Sequence, residues 1–448
     1  MNSRKTVFTI LNEIEQKDNA VESVVDQVLN DAELDRRDRR LVYEIVMGVI
    51  RQRGAIDYLI DHFLSDVRYR ENSELRSILR IGFYQILYLD RIPDHAAVNE
   101  SVTLAKSRRS TRDISGVVNA VLRNLIKQKG RLPQPSELES LSRRLSVKYS
   151  HPEWMIERWL SNIGLARTKK LLEFNNTRPS VFLRRKIRGM SRQQFDSDAR
   201  GLCDAGMGFM NLYYRLKKPF DPETLELFRD GACTVQAPSS GWVVAVLEVQ
   251  KNDRICDLAA APGGKTSLIS ELVSDGGAVA ACDIRFSRLM MIRETADRMR
   301  LGNIYEVLCD GAHSPFAGKF DKVLLDAPCT STGIMHRHPE IRWRRTPDDI
   351  EMCAAKQAEL LDSASRLVVR GGTLVFSVCS LEPEEGPAQV RSFLERHPYF
   401  RLVPPPGSIP KMYIDDNDCL SISPYKHGMD GMFAARFERI ARSKKSSH

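Results

Sequence analysis

The 448-residue sequence has nine cysteines, at positions 203, 233, 256, 282, 309, 329, 353, 379 and 419, but no Cys-x-x-Cys pair. An odd count without close pairs argues against a disulfide framework and against a zinc knuckle. A reducing compartment and no bound metal are therefore expected. No uncharged apolar run approaches 18 residues, and charges interrupt the apolar positions of the N-terminal stretch MNSRKTVFTILNEIEQKD. Neither a membrane span nor a signal peptide fits that pattern, so the expectation is a cytoplasmic protein with no membrane partner. The sequence also lacks Gly-x-Gly-x-x-Gly. It has Gly-Gly-Lys-Thr at 263–266, but the Walker frame would need glycine at position 259, where alanine stands. Pyrophosphate binding is thus weakly supported. Glycine and proline are scarce before Pro93, which favours a helical bundle at the front of the chain.

The length allows about three domains. Lys and Arg outnumber Asp and Glu by 67 to 58, a net charge of +9 that favours a polyanionic partner. Apolar residues recur at helical spacing in Val7-Phe8-Ile10-Leu11-Ile14, in Leu41 to Ile50, in Leu75 to Leu87 and in Val117 to Ile126. Residues 1–130 therefore read as an all-α domain, followed by a proline-bearing linker over 130–137. Residues 140–235 read as a small α+β module. It would have a strand over Ser180–Arg184, a helix over Ser191–Ala205 and a second strand near Phe209–Leu212. From residue 236 to 442 the pattern alternates strand and helix. Strands are expected at Arg254–Leu258, Ala278–Asp283, Tyr305–Cys309, Asp321–Asp326 and Thr373–Cys379, with helices at Lys265–Val273, Phe286–Met299 and Ile350–Leu367. Continuously apolar strands between helices predict a parallel sheet covered on both faces. A fragment from 140 to 448 is expected to fold without the helical front.

The first of these strands ends at Asp257 and runs into Ala259-Ala260-Ala261-Pro262-Gly263-Gly264-Lys265. A glycine turn between the first strand and its helix lets a ligand approach the backbone. Asp283 ends the second strand, 19 residues after Gly264, where an acid is placed to bind ribose hydroxyls. Asp310 closes the third and is placed to meet an adenine edge. These features fit NAD, FAD or S-adenosylmethionine.

Two cysteines stand just beyond the carboxyl ends of apolar strands, in Leu325-Asp326-Ala327-Pro328-Cys329 and in Phe376-Ser377-Val378-Cys379. Most cysteines in apolar strands are core residues, and Cys256, Cys282 and Cys309 read that way. Cys329 and Cys379 differ because each precedes polar turn residues. A thiolate there could add to carbon 6 of a cytosine and so activate carbon 5 towards a sulfonium methyl group. A carboxyl group near the ring and a second acid/base group to release the enzyme would complete the set. Arg184, Arg185 and Lys186, with Arg337, Arg342, Arg344 and Arg345, are candidates for holding an RNA backbone.

The stretches AAPGGKT, DAPCTSTG, HRHPEIRW, GGTLVFSVCS and GMDGMFAARF closely resemble the RsmB/Nop family of RNA cytosine-5 methyltransferases, over residues 236–440. AVNESVTLAK and GVVNAVLRNL resemble the NusB-like, RNA-binding helical domain of the bacterial RsmB (Sun/Fmu) group. The resemblance implies an α/β Rossmann-like catalytic domain that uses S-adenosylmethionine, a middle module for RNA recognition, and a monomer acting on 16S ribosomal RNA. It implies Cys379 as the nucleophile, Cys329 as the acid/base group that assists release, and Asp326 as a contact to the target base. Cofactor contacts would come from Ala259, Ala260, Ala261, Pro262, Gly263, Gly264, Lys265, Asp283, Asp310 and Asp326. The sequence departs from the family pattern in having Ala259 in place of cysteine and Val378 in place of threonine; the lost hydroxyl bears on the tuning of Cys379. Competing readings are a tRNA or a DNA cytosine-5 methyltransferase, the latter using Cys329 as nucleophile, and a non-catalytic antitermination-like RNA-binding factor.

Overall fold

A computed structural model describes residues 3–16, 21–64, 66–108, 113–218 and 222–440; the basic tail from Arg442 lies outside them. The chain divides into two compact units. One comprises residues 1–177 with 336–344, the other 178–335 with 345–448.

The first unit is helical: α1 (Ser3–Gln16), α2 (Val21–Asp31), α3 (Arg36–Phe63), α4 (Ser73–Tyr88), α5 (Asp94–Lys106), α6 (Ser115–Lys127), α7 (Leu141–Tyr149) and α8 (Glu153–Asn175). The apolar stripes read from the sequence line one continuous core, with Val7, Phe8, Ile45, Val49, Ile78, Phe83, Val118 and Leu122 all buried. Each such side chain contributes about 1.5–3 kcal/mol by leaving water. Helix starts follow local chemistry. The Asp35 carboxylate accepts from the Asp38 N–H at the head of α3, and the Asn72 side chain accepts from Leu75 N–H at the head of α4. Gly48 admits the Tyr84 ring, since a Cβ there would lie 1.9 Å from it.

In the second unit a small antiparallel sheet of order β2-β1-β3 is built from β1 (Phe182–Arg185), β2 (Tyr213–Arg215) and β3 (Cys233–Val235). Helices α9 (Arg192–Asp198) and α10 (Glu226–Arg229) lie between its strands in sequence. Two expectations need correction here. The helix from Ser191 stops at Asp198, and Gly201 shortly beyond it takes φ 82°. Phe209–Asn211 is a 3-10 turn rather than a strand: Met210 and Asn211 sit at φ 54° and 53°, values that extended backbone does not allow, so pairing begins only at Tyr213. The segment read as one middle module is thus divided, with α7 and α8 in the helical unit and β1–β3 in the other. A cut at residue 140 would sever the helical unit.

Helix α11 (Pro238–Leu247) leads into the large sheet. Its elements are β4 (Arg254–Asp257), α12 (Gly264–Val273), β5 (Ala278–Asp283), α13 (Phe286–Met299), β6 (Ile304–Leu308) and β7 (Phe320–Asp326). The chain then enters the helical unit at His336–Arg344, which contains α14 (Ile341–Arg344). It returns through α15 (Pro347–Leu367), β8 (Val368–Val378), α16 (Pro387–Arg396), β9 (Phe400–Val403), β10 (Leu420–Ile422), α17 (Pro424–His427) and β11 (Met432–Arg439). The sheet order is β10-β11-β8-β7-β4-β5-β6, with β9 also paired to β11. Strands β4 to β8 are parallel, as expected. The final strand β11 runs antiparallel to β8, and β9 and β10 run antiparallel to β11, so the sheet is mixed. Neighbouring strand residues face opposite cores. Ile255, Leu324 and Val375 share one core with α11 and α12, while Cys256, Leu325 and Phe376 share the other with α15 and α16. Burial on both faces is why these strands read as unbroken apolar runs.

The segment 336–344 is fastened into the helical unit by polar contacts. The fully buried Arg342 donates to the carbonyls of Arg51, Ser150 and Asn175 and to Asn176 Oδ1, at 2.9–3.2 Å. Burial, then the nearby Arg51 cation, pull its pKa down to about 9, which still leaves it charged at neutral pH. Trp343 Nε1 donates to the Ile50 carbonyl at 2.7 Å, and the Arg53 guanidinium lies over its ring at 5.6 Å. Arg342→Ala leaves buried acceptors unpaired and is expected to cost about 3 kcal/mol. Arg188→Ala, which removes a solvent-exposed ion pair with Asp275, should cost under about 0.5 kcal/mol. Urea denaturation of the two variants checks the contrast, and equal midpoints would contradict it.

Candidate active site

Parallel strands deliver their carboxyl ends to one edge of the sheet. Asp257 ends β4, Asp283 ends β5 and Asp326 ends β7, while Asp310 lies two residues beyond β6. Between β4 and α12 the chain passes through 258–263, and Gly263, at φ 96°, turns it into the helix. A side chain at Gly263 would be strained by that φ and would press on Ile292 at 3.2 Å.

The carboxylates are held differently. Asp257 is fully buried. Its Oδ2 accepts from Thr266 Oγ1 at 2.6 Å, whereas its Oδ1 has no hydrogen-bond partner among the described residues. Burial drives its pKa up to about 7, against the pull of Thr266 and with a further push from Asp326. Asp283 accepts from the Arg285 N–H at 3.0 Å and has the Arg288 guanidinium 3.7 Å away. Asp310 caps the turn Gly311–His313, accepting from Ala312 N–H at 2.9 Å, and that bond holds its pKa below the usual carboxylate range. Asp326 uses both oxygens, one on Lys265 Nζ and one on Ser377 Oγ, each at 2.6 Å. Burial lowers the Lys265 pKa, but Asp326 outweighs it and the net shift is upward.

Strand β7 pairs with β8 so that Asp326 lies opposite Ser377. Cys329 and Cys379 each follow their strand by a short step, and this register brings their sulfurs to 3.3 Å. Ser331, held at φ 62°, places its hydroxyl 3.4 Å from the Cys379 sulfur and 3.8 Å from that of Cys329. The thiols titrate as a pair that shares a proton. Cys379 is the one lowered, chiefly by the hydrogen bond from Cys329 and against the effect of burial, with Ser331 helping. Cys329 is raised well above the ordinary thiol value, by its bond to Cys379 and then by burial. Val378 is fully buried.

The strand-end carboxylates suit a cofactor carrying positive centres. The orphaned buried Oδ1 of Asp257 offers an acceptor, and the turn at Gly263 opens the backbone beside it. The residues present therefore fit S-adenosylmethionine, whose sulfonium and ammonium groups are cationic.

Two of the basic candidates serve the fold instead, and the others are part-exposed with partners inside the chain. Arg184 is fully buried in an ion pair with Glu271 and donates to Ser267 Oγ at 2.9 Å. Arg342 is buried as described. Neither can meet a phosphate. Arg185 bonds the carbonyls of Lys186 and Met190, Lys186 that of Met299, Arg344 that of Ile14 and Arg345 that of Thr330. Arg337 is half-buried and also has an interaction partner. Sequence alone cannot separate these from exposed cations, because a guanidinium satisfies carbonyls as readily as phosphate oxygens. Ser377 and Ser331 were missed. The signal for Ser377 was a lone hydroxyl inside the apolar run Phe376-Ser377-Val378.

Fold and site together define an S-adenosylmethionine-dependent methyltransferase. Residues 244–438 match the model for 16S rRNA methyltransferase RsmB/F, and residues 1–127 match the NusB family. A Synechocystis protein named probable ribosomal RNA small subunit methyltransferase B is 34% identical, over 98% of this chain and 100% of its own. Ribosomal RNA small subunit methyltransferase B of Escherichia coli O127:H6 is 35% identical, over 80% of this chain and 82% of its own. The solved structure of PH0851 superimposes with a TM-score of 0.83 at 25% identity, covering 98% of both chains. The chain belongs to the RsmB/F family and is an RNA methyltransferase.

An anionic Asp257 attracts a cationic cofactor, so affinity should fall as pH drops below about 7; calorimetry from pH 6 to 8 should show this, and Asp257→Asn should abolish the dependence. Cys379 should be alkylated by iodoacetamide with a half-point below that of a free thiol. Cys329→Ala removes its donor and should move that half-point up; an unmoved half-point would contradict the shared proton.

Proposed function

We propose that this chain methylates carbon 5 of a cytosine in the 16S ribosomal RNA of the small subunit, with Cys379 as nucleophile and Cys329 as the group that completes release. The observation that carries the reading is the pair of sulfurs 3.3 Å apart with opposite tendencies to ionise. The names of the relatives in Synechocystis and Escherichia coli support the RNA target.

S-adenosylmethionine, when bound, supplies the methyl group. Asp283 would meet its ribose, Asp257 and the backbone of Ala259, Ala260, Ala261, Pro262, Gly263 and Gly264 its amino-acid portion, and Asp310 its adenine. Exposed Ile284, next to Asp283, offers an apolar face to the same base. The Cys379 thiolate adds to carbon 6 of the target cytosine, and the displaced electron pair makes carbon 5 nucleophilic. Asp326, fixed by Lys265 and Ser377, contacts the ring edge. Once Cys379 has committed its electron pair to carbon, its negative charge no longer raises Cys329, and only burial and the Glu385 carboxylate still do. Cys329 then gives its proton to solvent water, and the resulting thiolate takes the proton from methylated carbon 5. The electrons of that C–H bond re-form the 5,6 double bond, the carbon–sulfur bond breaks, and Cys379 leaves as thiolate. A base that must reach Cys379 has to be unstacked, so a flipped or single-stranded cytosine is required. The helical unit contributes RNA affinity in this reading, and the segment containing β1–β3 contributes recognition.

Denaturing electrophoresis after incubation with RNA and labelled cofactor tests the assignment. Cys379→Ala should give neither methylated product nor a covalent band. Cys329→Ala should accumulate a slow, protease-sensitive protein–RNA band. The reverse pattern would assign the nucleophile to Cys329, and unimpaired methylation in both variants would exclude a covalent route.

A further inference from the structure

A third side chain ties the two thiol loops together. Glu385 lies seven residues beyond the end of β8 and is fully buried. Its Oε1 accepts from the Thr330 backbone N–H at 2.8 Å and from Gln357 Nε2 at 3.0 Å. Its Oε2 accepts from the hydroxyls of Thr330 and Ser380. Thr330 directly follows Cys329, and Ser380 directly follows Cys379. Those two hydroxyls are also 3.1 Å from each other. Gln357, on α15, donates as well to the carbonyl of Pro328, the residue before Cys329, at 3.0 Å. One carboxylate is thus bonded to the residue following each sulfur, and it is itself bonded to a side chain on a helix.

We infer that Glu385 is a positioning residue for the two-thiol reaction, holding the Cys329 and Cys379 loops in the register that brings their sulfurs together. This rests on the function proposed above. A buried carboxylate is costly to desolvate and is weak evidence for stability, so its chemistry needs another account. An apolar side chain could fill the same space, but only an anion with two acceptor oxygens can gather four donors from two loops and a helix. Burial pushes its pKa up while these donors pull it down. Its charge also adds to the rise at Cys329, which favours leaving the shared proton there. Glu385 touches neither sulfur and acts through Thr330 and Ser380.

The test uses the full chain and phenylarsine oxide, whose arsenic(III) bonds two neighbouring thiols with loss of one water. Wild type should capture one equivalent in a manner lost in Cys329→Ala. Glu385→Gln keeps the shape but turns one acceptor into a donor facing donors. It should weaken capture about tenfold and lower kcat about a hundredfold with KM for RNA little changed, as expected for misplacement of reacting groups. The iodoacetamide half-point of Cys379 should move as well. Ser380→Ala, which removes one bond and leaves the carboxylate, should reduce capture in the wild-type background and add nothing in Glu385→Gln. Unchanged capture and an unmoved half-point in Glu385→Gln would overturn the role of Glu385 alone. Loss of cofactor binding and thermal stability in Glu385→Gln, with unaltered capture in Ser380→Ala, would reduce it to fold support and also overturn the inference. Weakened capture with methylation intact would instead overturn the two-thiol chemistry on which it rests.

Discussion

The site depends on the parallel pairing of β7 with β8. Placing Asp326 opposite Ser377 sets everything beyond the strand ends. It lets the Ser377 hydroxyl bond Asp326, brings Cys329 to Cys379, and puts Thr330 and Ser380 within reach of one carboxylate. A one-residue slip would turn every side chain of one strand to the opposite face. In β8 it would drive Phe376 out of the core it shares with Leu325, α15 and α16. The hydrophobic effect that fixes the register therefore fixes the approach of the two thiols as well. No separate device is needed to find it, and only local hydrogen bonds are needed to hold it.

Charge is distributed with a division of labour. Carboxylates collect at the strand ends. Asp257 keeps one buried oxygen without a partner among the described residues, while Asp326 has both oxygens engaged. An unpaired buried acceptor is costly. Several arginines do the opposite work. Arg184 is spent on Glu271 beneath β1, and Arg342 on carbonyls of the helical unit. A basic net charge thus overstates the cations available to RNA, because part of it is structural.

Much of the layout was legible in the sequence. The apolar runs located β4 to β8 to within a few residues. The stripes of α1, α3, α4 and α6 marked the helical core. Cys256 and Cys282 pack inside the sheet as read; Cys329 is buried in the same core, and what sets it apart is its sulfur 3.3 Å from that of Cys379. What was not legible involved contacts distant in sequence or local backbone strain. Phe209–Leu212 carries apolar side chains suited to a strand, yet its turn is set by positive φ at Met210 and Asn211. The antiparallel run of β11 beside β8 leaves no mark on the composition of either strand. Helices α7 and α8 join the helical unit although the prolines before them suggested a boundary.

The sequence by itself determined which segments form strands and helices, where the glycine turn falls, and which two cysteines stand past strand ends. Those features follow from periodicity and backbone preference, which act over a few residues. Only the tertiary structure decided that the two sulfurs lie 3.3 Å apart, that Glu385 joins their loops, and that Arg184 and Arg342 are buried. Apart from the local bond between Glu385 and Ser380, each of these is a meeting of groups 50 or more residues apart, or a choice of acceptor made by a guanidinium after the chain has closed around it. Such meetings are set by strand register and packing, and neither is written in the neighbourhood of the residues that meet.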